Sequence, residues 1–176
     1  MSEAKSNDIF RYDPRSFFCF LARGFGIGFA GFLRFVANGC CMSANEVTLN
    51  TVQAFLGAMG TRNLDAIVEL FSEEVDWFIP GDETVASWLG KRKDKEGVRD
   101  FFSLLWPATE PLSAQVDHLF VDGNKAVVIG EFSTRMLATG KVVDSLFHIH
   151  LTVEGGLITR YRLLEDSLAV YRALGG

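Results

Sequence analysis

The stretch "NLDAIVELFSEEVDWFIPG", Asn63 to Gly81, decides the fold, because its hydrophobic period changes partway along. Leu64, Ile67, Val68 and Phe71 recur at i, i+3, i+4 and i+7, the mark of an amphipathic helix, and Asn63 is a residue type that caps one. "VDWFIPG" then reads as a short strand stopped by Pro80 and Gly81. Toward the N-terminus, Val52, Phe55, Leu56 and Met59 give an earlier helix ending near Gly60. Ser43 and Glu46 form its start signal, a capping box. Toward the C-terminus, residues 82–95 read as a loop holding Trp88, Gly90 and the basic run Lys91, Arg92 and Lys93. A third helix carries Val98, Phe101, Phe102 and Leu105, and Pro107 ends it. Four strands follow, at about 113–121, 126–137, 142–153 and 157–166. The turns between them, "DGN", "ATG" and "EGG", have hairpin chemistry. "SLAVYRAL" is a short closing helix. Helices followed by an antiparallel meander predict an α+β fold. Three helices laid on a strongly curved sheet leave a space that predicts a ligand pocket.

The chain has 176 residues, a net charge of −5 and 48% hydrophobic residues. That predicts one folded domain with a full core and no general attraction to nucleic acid or anionic membrane. The composition breaks near Met42. All three cysteines (Cys19, Cys40, Cys41) and eight of the sixteen phenylalanines precede that point. Residues 1–42 are therefore expected to be an extension outside the native fold, and 43–176 the domain. A start at Met42 would make the extension an upstream leader. Within it, Gly26, Gly28 and Gly31 match G-x-G-x-x-G, but no strand precedes them and no βαβ unit follows, so a dinucleotide site is not expected. Arg23 and Arg34 interrupt the apolar stretch 17–41, against a membrane span. A cytoplasmic location follows as the expectation. The domain itself contains no cysteine, hence no disulfide framework and no Cys metal site.

"NLDAIVELFSEEVDWFIPG", the loop "WLG" at Trp88–Gly90, "GVRDFF" at Gly97–Phe102 and "GGLITRYRLLED" at Gly155–Asp166 together resemble the SnoaL-like group of the ketosteroid-isomerase and nuclear-transport-factor-2-like superfamily. The resemblance covers about residues 44–174. It implies an α+β cone: three N-terminal helices on a strongly curved, mostly antiparallel sheet that encloses a pocket. The superfamily contains isomerases, cyclases, epoxide hydrolases, dehydratases and proteins without catalysis, so the fold does not fix the reaction. Ketosteroid isomerases use an Asp base with a Tyr and a protonated Asp as oxyanion donors. Here those positions fall on Ile79, Phe55 and His148, and the supporting tyrosines on Phe71 and Phe102. An epoxide-hydrolase set would fall near Gly130, Phe132 and Leu163. Neither set is kept.

The resemblance implies that Trp77, Ile79, Phe132, His148, Tyr161, Leu163 and Glu165 face the pocket, and strand alternation adds Leu146 and His150. The other face of the same strand, Phe147, Ile149, Leu151 and Val153, is then expected to pair with a second copy as a homodimer. Histidine titrates near neutral pH, which suits proton transfer. His148 and Glu165 are accordingly the catalytic candidates. Phe55, Phe71, Trp77, Ile79, Phe102, Phe132, Leu146, His150, Tyr161 and Leu163 are the candidate substrate contacts. The aromatic members also read as plain core. For Glu165 the alternative is a salt bridge to Arg160 or Arg162, and Asp166 reads as the cap of the last helix. His118, His148 and His150 have no third-ligand spacing, so no metal is expected, and no cofactor either. Two readings stand: a cofactor-independent isomerase, cyclase or dehydratase acting on a hydrophobic carbonyl compound, or a non-catalytic module that binds such a molecule.

Overall fold

The computed structural model describes residues 10–11 and 42–176. The glycine motif, the cysteines and almost all of the expected extension lie outside the described residues. The elements run β1 (Phe10–Arg11), α1 (Ala44–Gly60), α2 (Leu64–Glu69), β2 (Phe71–Ile79), β3 (Gly90–Asp94), α3 (Lys95–Ala108), β4 (Thr109–Asp122), β5 (Lys125–Met136), β6 (Val142–Glu154), β7 (Leu157–Leu164) and α4 (Ser167–Ala173). The strands form one open, curved sheet in the order β1-β4-β5-β6-β7-β2-β3. Its pairs are antiparallel except β1 with β4 and β2 with β7. Helices α1 and α3 pack on one face, and α4 reaches β6. Among the described residues no helix is long and apolar enough to cross a membrane.

Local chemistry sets the helix starts. Ser43 and Glu46 make the reciprocal capping box of α1. Asn63 accepts from the Ala66 N–H at 3.1 Å, Asp94 from Gly97 at 2.8 Å and Asp166 from Ala169 at 2.9 Å. Each cap satisfies a donor the first turn would leave open. Two local expectations are corrected. Pro107 lies inside α3, which continues to Ala108. The basic run Lys91–Lys93 is not loop but the sheet-edge strand β3, paired with β2. Lysines on an edge discourage further strand addition.

The end of α1 is unusual. The Arg62 N–H donates to the Met59 carbonyl and the Asn63 N–H to that of Ala58, the paired bonds of a Schellman motif. The residue at its turn needs a left-handed backbone, a place usually taken by glycine or asparagine. Arg62 occupies it with φ 51°. A side chain there costs about 1–2 kcal/mol.

The core is aromatic. Trp77 stacks on Tyr161 with ring centroids 3.8 Å apart and planes 11° apart. Phe55 and Phe71 contact each other and Tyr161 edge-on or tilted, while Phe101 and Phe102 flank Trp77. The Trp77 indole N–H is buried with no hydrogen-bond partner among the described residues, which costs roughly 1–3 kcal/mol.

Strand β6 shows the largest departure from expectation. Along Val142–Glu154, Val143, Ser145, Phe147, Ile149, Leu151 and Val153 are buried, while Leu146, His148 and His150 are exposed. The register explains it. Ile149 lies opposite Leu163 and Leu151 opposite Tyr161, and directly opposed residues of antiparallel strands share a face. Tyr161 and Leu163 face the helices, so Ile149 and Leu151 do too. A register one residue away would have turned the histidines inward. Gly130 locks the arrangement: it pairs with Phe147, and a Cβ on it would stand 2.7 Å from the Phe147 ring and 2.0 Å from the Gln115 carbonyl oxygen.

Candidate functional site

Between the helices and the sheet lies a cavity of about 200 Å³. Met59, Phe101, Leu105 and Trp106 come from the helical side, and Trp88 from the loop before β3. The sheet contributes Phe132, Thr134, Met136, Phe147, Ile149, Tyr161 and Leu163, and α4 adds Val170. An apolar cavity of about 150 Å³ holds benzene, so this one has room for one or two fused rings. Few polar groups interrupt the wall. They are chiefly Arg62, Thr109, Ser113, Thr134, Tyr161 and Glu165. Thr109 is already engaged, donating to the Leu105 carbonyl at 2.8 Å.

Glu165 sits just past the end of β7, where Asp166 turns the chain into α4. Asp166 is held on both sides: its N–H donates to Ser145 Oγ at 2.9 Å and its carboxylate caps α4. That fixes Glu165 at the cavity wall, half-buried. No hydrogen bond or ion pair reaches its carboxyl among the described residues. The alternative partners are occupied elsewhere: Arg162 and Arg160, the latter at 3.4 Å, both bind Asp76 on β2. Burial, with a smaller push from the Asp166 charge, raises the Glu165 pKa to about 7. Desolvation is expected to favour the neutral carboxyl in this way. Tyr161 is raised as well, first by burial and then by the charge of Glu165. Its hydroxyl therefore stays protonated at neutral pH and can donate.

Of the residues singled out from the sequence, Phe132, Tyr161, Leu163 and Glu165 line this cavity. Phe55, Phe71, Trp77, Ile79 and Phe102 do not; they are nearly or fully buried in the core beneath it. Leu146, His148 and His150 are exposed on the opposite face of the sheet, so His148 cannot share a cavity with Glu165. The face expected to be outside, Phe147, Ile149, Leu151 and Val153, is inside, with Phe147 and Ile149 on the cavity wall. His118 is also exposed and lies opposite Ile129, which pairs on its other side with His148. All three histidines of the chain thus belong to the outer face. Among the described residues there is no group of three or more His, Cys, Asp or Glu able to hold a metal.

The sequence reading missed Arg62, Trp88, Phe101, Trp106, Phe147 and Ile149. For Phe147 and Ile149 a signal was present: apart from Ser145 their row along β6 is apolar, whereas the alternate row carries two histidines. Burying the apolar row is favoured by about 25 cal/mol for each Å² removed from water. Arg62 also left a trace, an arginine directly after a helix end where glycine is usual.

Residues 52–161 match the sequence model of a family described as the SnoaL-like domain. No curated protein matches the chain. Solved structures do resemble it. An NTF2-like protein of Burkholderia xenovorans LB400 has a TM-score of 0.68 at 20% identity, over 74% of this chain and 98% of that one. A Rhodopseudomonas palustris protein assigned as an isomerase gives 0.63 at 17%, over 74% and 97%. A Mesorhizobium loti protein assigned as a SnoaL-like polyketide cyclase gives 0.56 at 17%, over 65% and 96%. At these identities the likeness is one of fold.

Proposed function

We propose that this chain, which belongs to the SnoaL-like domain family, is a cofactor-independent proton-transfer enzyme acting on a small hydrophobic carbonyl compound. The observation that carries the reading is Glu165: a carboxyl without a partner among the described residues, at the wall of a mostly apolar cavity that Tyr161 also lines. A carboxylate there takes a proton from carbon next to the carbonyl. The C–H bond breaks, an O–H bond forms on Glu165, and the negative charge moves to the carbonyl oxygen. Tyr161 donates a hydrogen bond to that oxygen as charge develops on it. Return of the proton at another carbon gives isomerisation; attack of the enolate on a second carbonyl gives ring closure. Similarity of fold to proteins assigned as an isomerase and a polyketide cyclase supports the same class.

The test uses 2-tetralone, a two-ring ketone suited to the cavity, in deuterated buffer. Wild-type protein is expected to speed deuterium uptake beside the carbonyl, followed by NMR. General-base catalysis typically supplies about 10²–10⁴ in rate, so Glu165→Gln should lose at least about 100-fold of the acceleration. The wild-type rate should rise with pH through about 7, as the carboxylate forms. No acceleration by the wild type would favour the second reading, a ligand-binding module without catalysis. That reading draws on the replacement of the ketosteroid-isomerase set by Phe55, Ile79 and His148, the first two in the core and the third outside the cavity.

A further inference from the structure

Arg62 does not fit a purely structural account. It holds the left-handed position of the Schellman motif that ends α1. Glycine or asparagine would take that backbone at lower cost. Among the described residues it is the one non-glycine with positive φ. Backbone strain of this kind is a reason to look for a function. The side chain lines the cavity, and its guanidinium lies over the Trp106 ring, 5.7 Å from the centroid. No hydrogen bond or ion pair to a carboxylate engages it among the described residues, unlike Arg99, Arg135, Arg160 and Arg162, each of which has an acidic partner. It is exposed, so it forms the rim of the cavity rather than its floor. Glu165 lines the same cavity, and no ion pair joins it to Arg62 among the described residues.

We infer that Arg62 is a specificity residue that selects ligands carrying an anionic group, a carboxylate or enolate, attached to an aromatic ring system. The rings fill the apolar cavity toward Glu165, and the anion meets the guanidinium at the mouth. Arginine suits the task because its flat face stays on Trp106 while its edge forks onto a carboxylate. The inference rests on reading the cavity as a ligand site, and it does not depend on catalysis.

The probes are 2-naphthoate and 2-naphthamide, which have the same shape and differ in charge. Binding is measured by calorimetry at pH 6, where naphthoate is ionised and Glu165 is mostly neutral. Wild type should bind the carboxylate about tenfold tighter than the amide, the size of one charge-assisted hydrogen bond at an exposed rim. The preference should shrink as salt is raised. Arg62→Gly should lose the preference, keep its affinity for the amide and melt no lower than wild type, because glycine suits that backbone. Arg62→Lys should keep part of the preference. Should Arg62→Gly not fold, Arg62→Asn, which also accepts left-handed φ, carries the same test. Equal binding of the two probes by wild type, or a preference that survives in Arg62→Gly, overturns the role of Arg62 and leaves the cavity as a ligand site. Failure of wild type to bind either probe overturns the ligand-site reading itself, and this inference with it.

Discussion

The two faces of β6 are one residue apart in sequence and live in different media. Ile149 is 6% exposed and touches the cavity; Leu146, three residues earlier, is 67% exposed. The inner row packs on Phe132, Tyr161 and Leu163 and shapes a ligand space. The outer row sets His148 and His150 beside Ile129, Val127, Leu164 and Arg162, and Leu146, His148 and His150 on it are exposed. A residue type that suits proton transfer therefore means nothing until its face is known. Histidine on the outer row is solvent chemistry, whereas glutamate at the end of the neighbouring strand is cavity chemistry.

The strongest way to break this contrast is Ile149→Asp. A charge with no partner on the inner row costs at least about 3 kcal/mol. In a chain of this size that lowers the melting temperature by roughly 10 °C, or unfolds a marginally stable protein outright. A melting temperature within 2 °C of wild type would show that Ile149 is not inside.

Next in size is the acid dependence of stability set by Glu165. Its pKa is near 4.5 in the unfolded chain and about 7 in the fold. Because the folded value is the higher one, the folded state holds the proton more tightly. The resulting stability is full below pH 4.5 and is lost as pH rises through 7. The whole effect is at most about 3 kcal/mol. Glu165→Gln should flatten the melting-temperature profile between pH 5 and 8 and make the protein more stable than wild type at pH 8. An unchanged slope in the variant would mean that other groups carry it.

The smallest effects belong to the outer row. His148→Gln should change stability by less than about 0.5 kcal/mol, as exposed substitutions do, and leave both naphthyl affinities unaltered. The expectation of a homodimer now rests on this face, where Phe120, Leu146 and Leu164 are exposed, and not on the buried row first assigned to it. If two copies pair through this face, Leu146→Asp should give a folded monomer by light scattering. A wild type that is monomeric at micromolar concentration would leave the outer row to solvent.

Much was legible in the sequence because it was local. Caps act over three residues, so Ser43, Asn63 and Asp166 announced their helices. Hydrophobic periods act over one or two turns, so α1, α2 and the hairpin strands could be read near their true places, and the motifs from Asn63 to Asp166 pointed to the SnoaL-like fold. Alternation along β6 divided its residues correctly into two sets. Which set faced the helices was decided elsewhere. It depended on Ile149 pairing with Leu163 rather than His148, and on Gly130 leaving room for the Phe147 ring. Both are contacts between segments distant in the chain, and a period of two carries no information about them. The same holds for Glu165. The sequence offered Arg160 and Arg162 as its partners, only a few residues away, but β2 brings Asp76 alongside β7 and takes both. The residue types and their local geometry were fixed by the chain itself; the isolation that makes one carboxyl unusual arose only when distant strands were brought together.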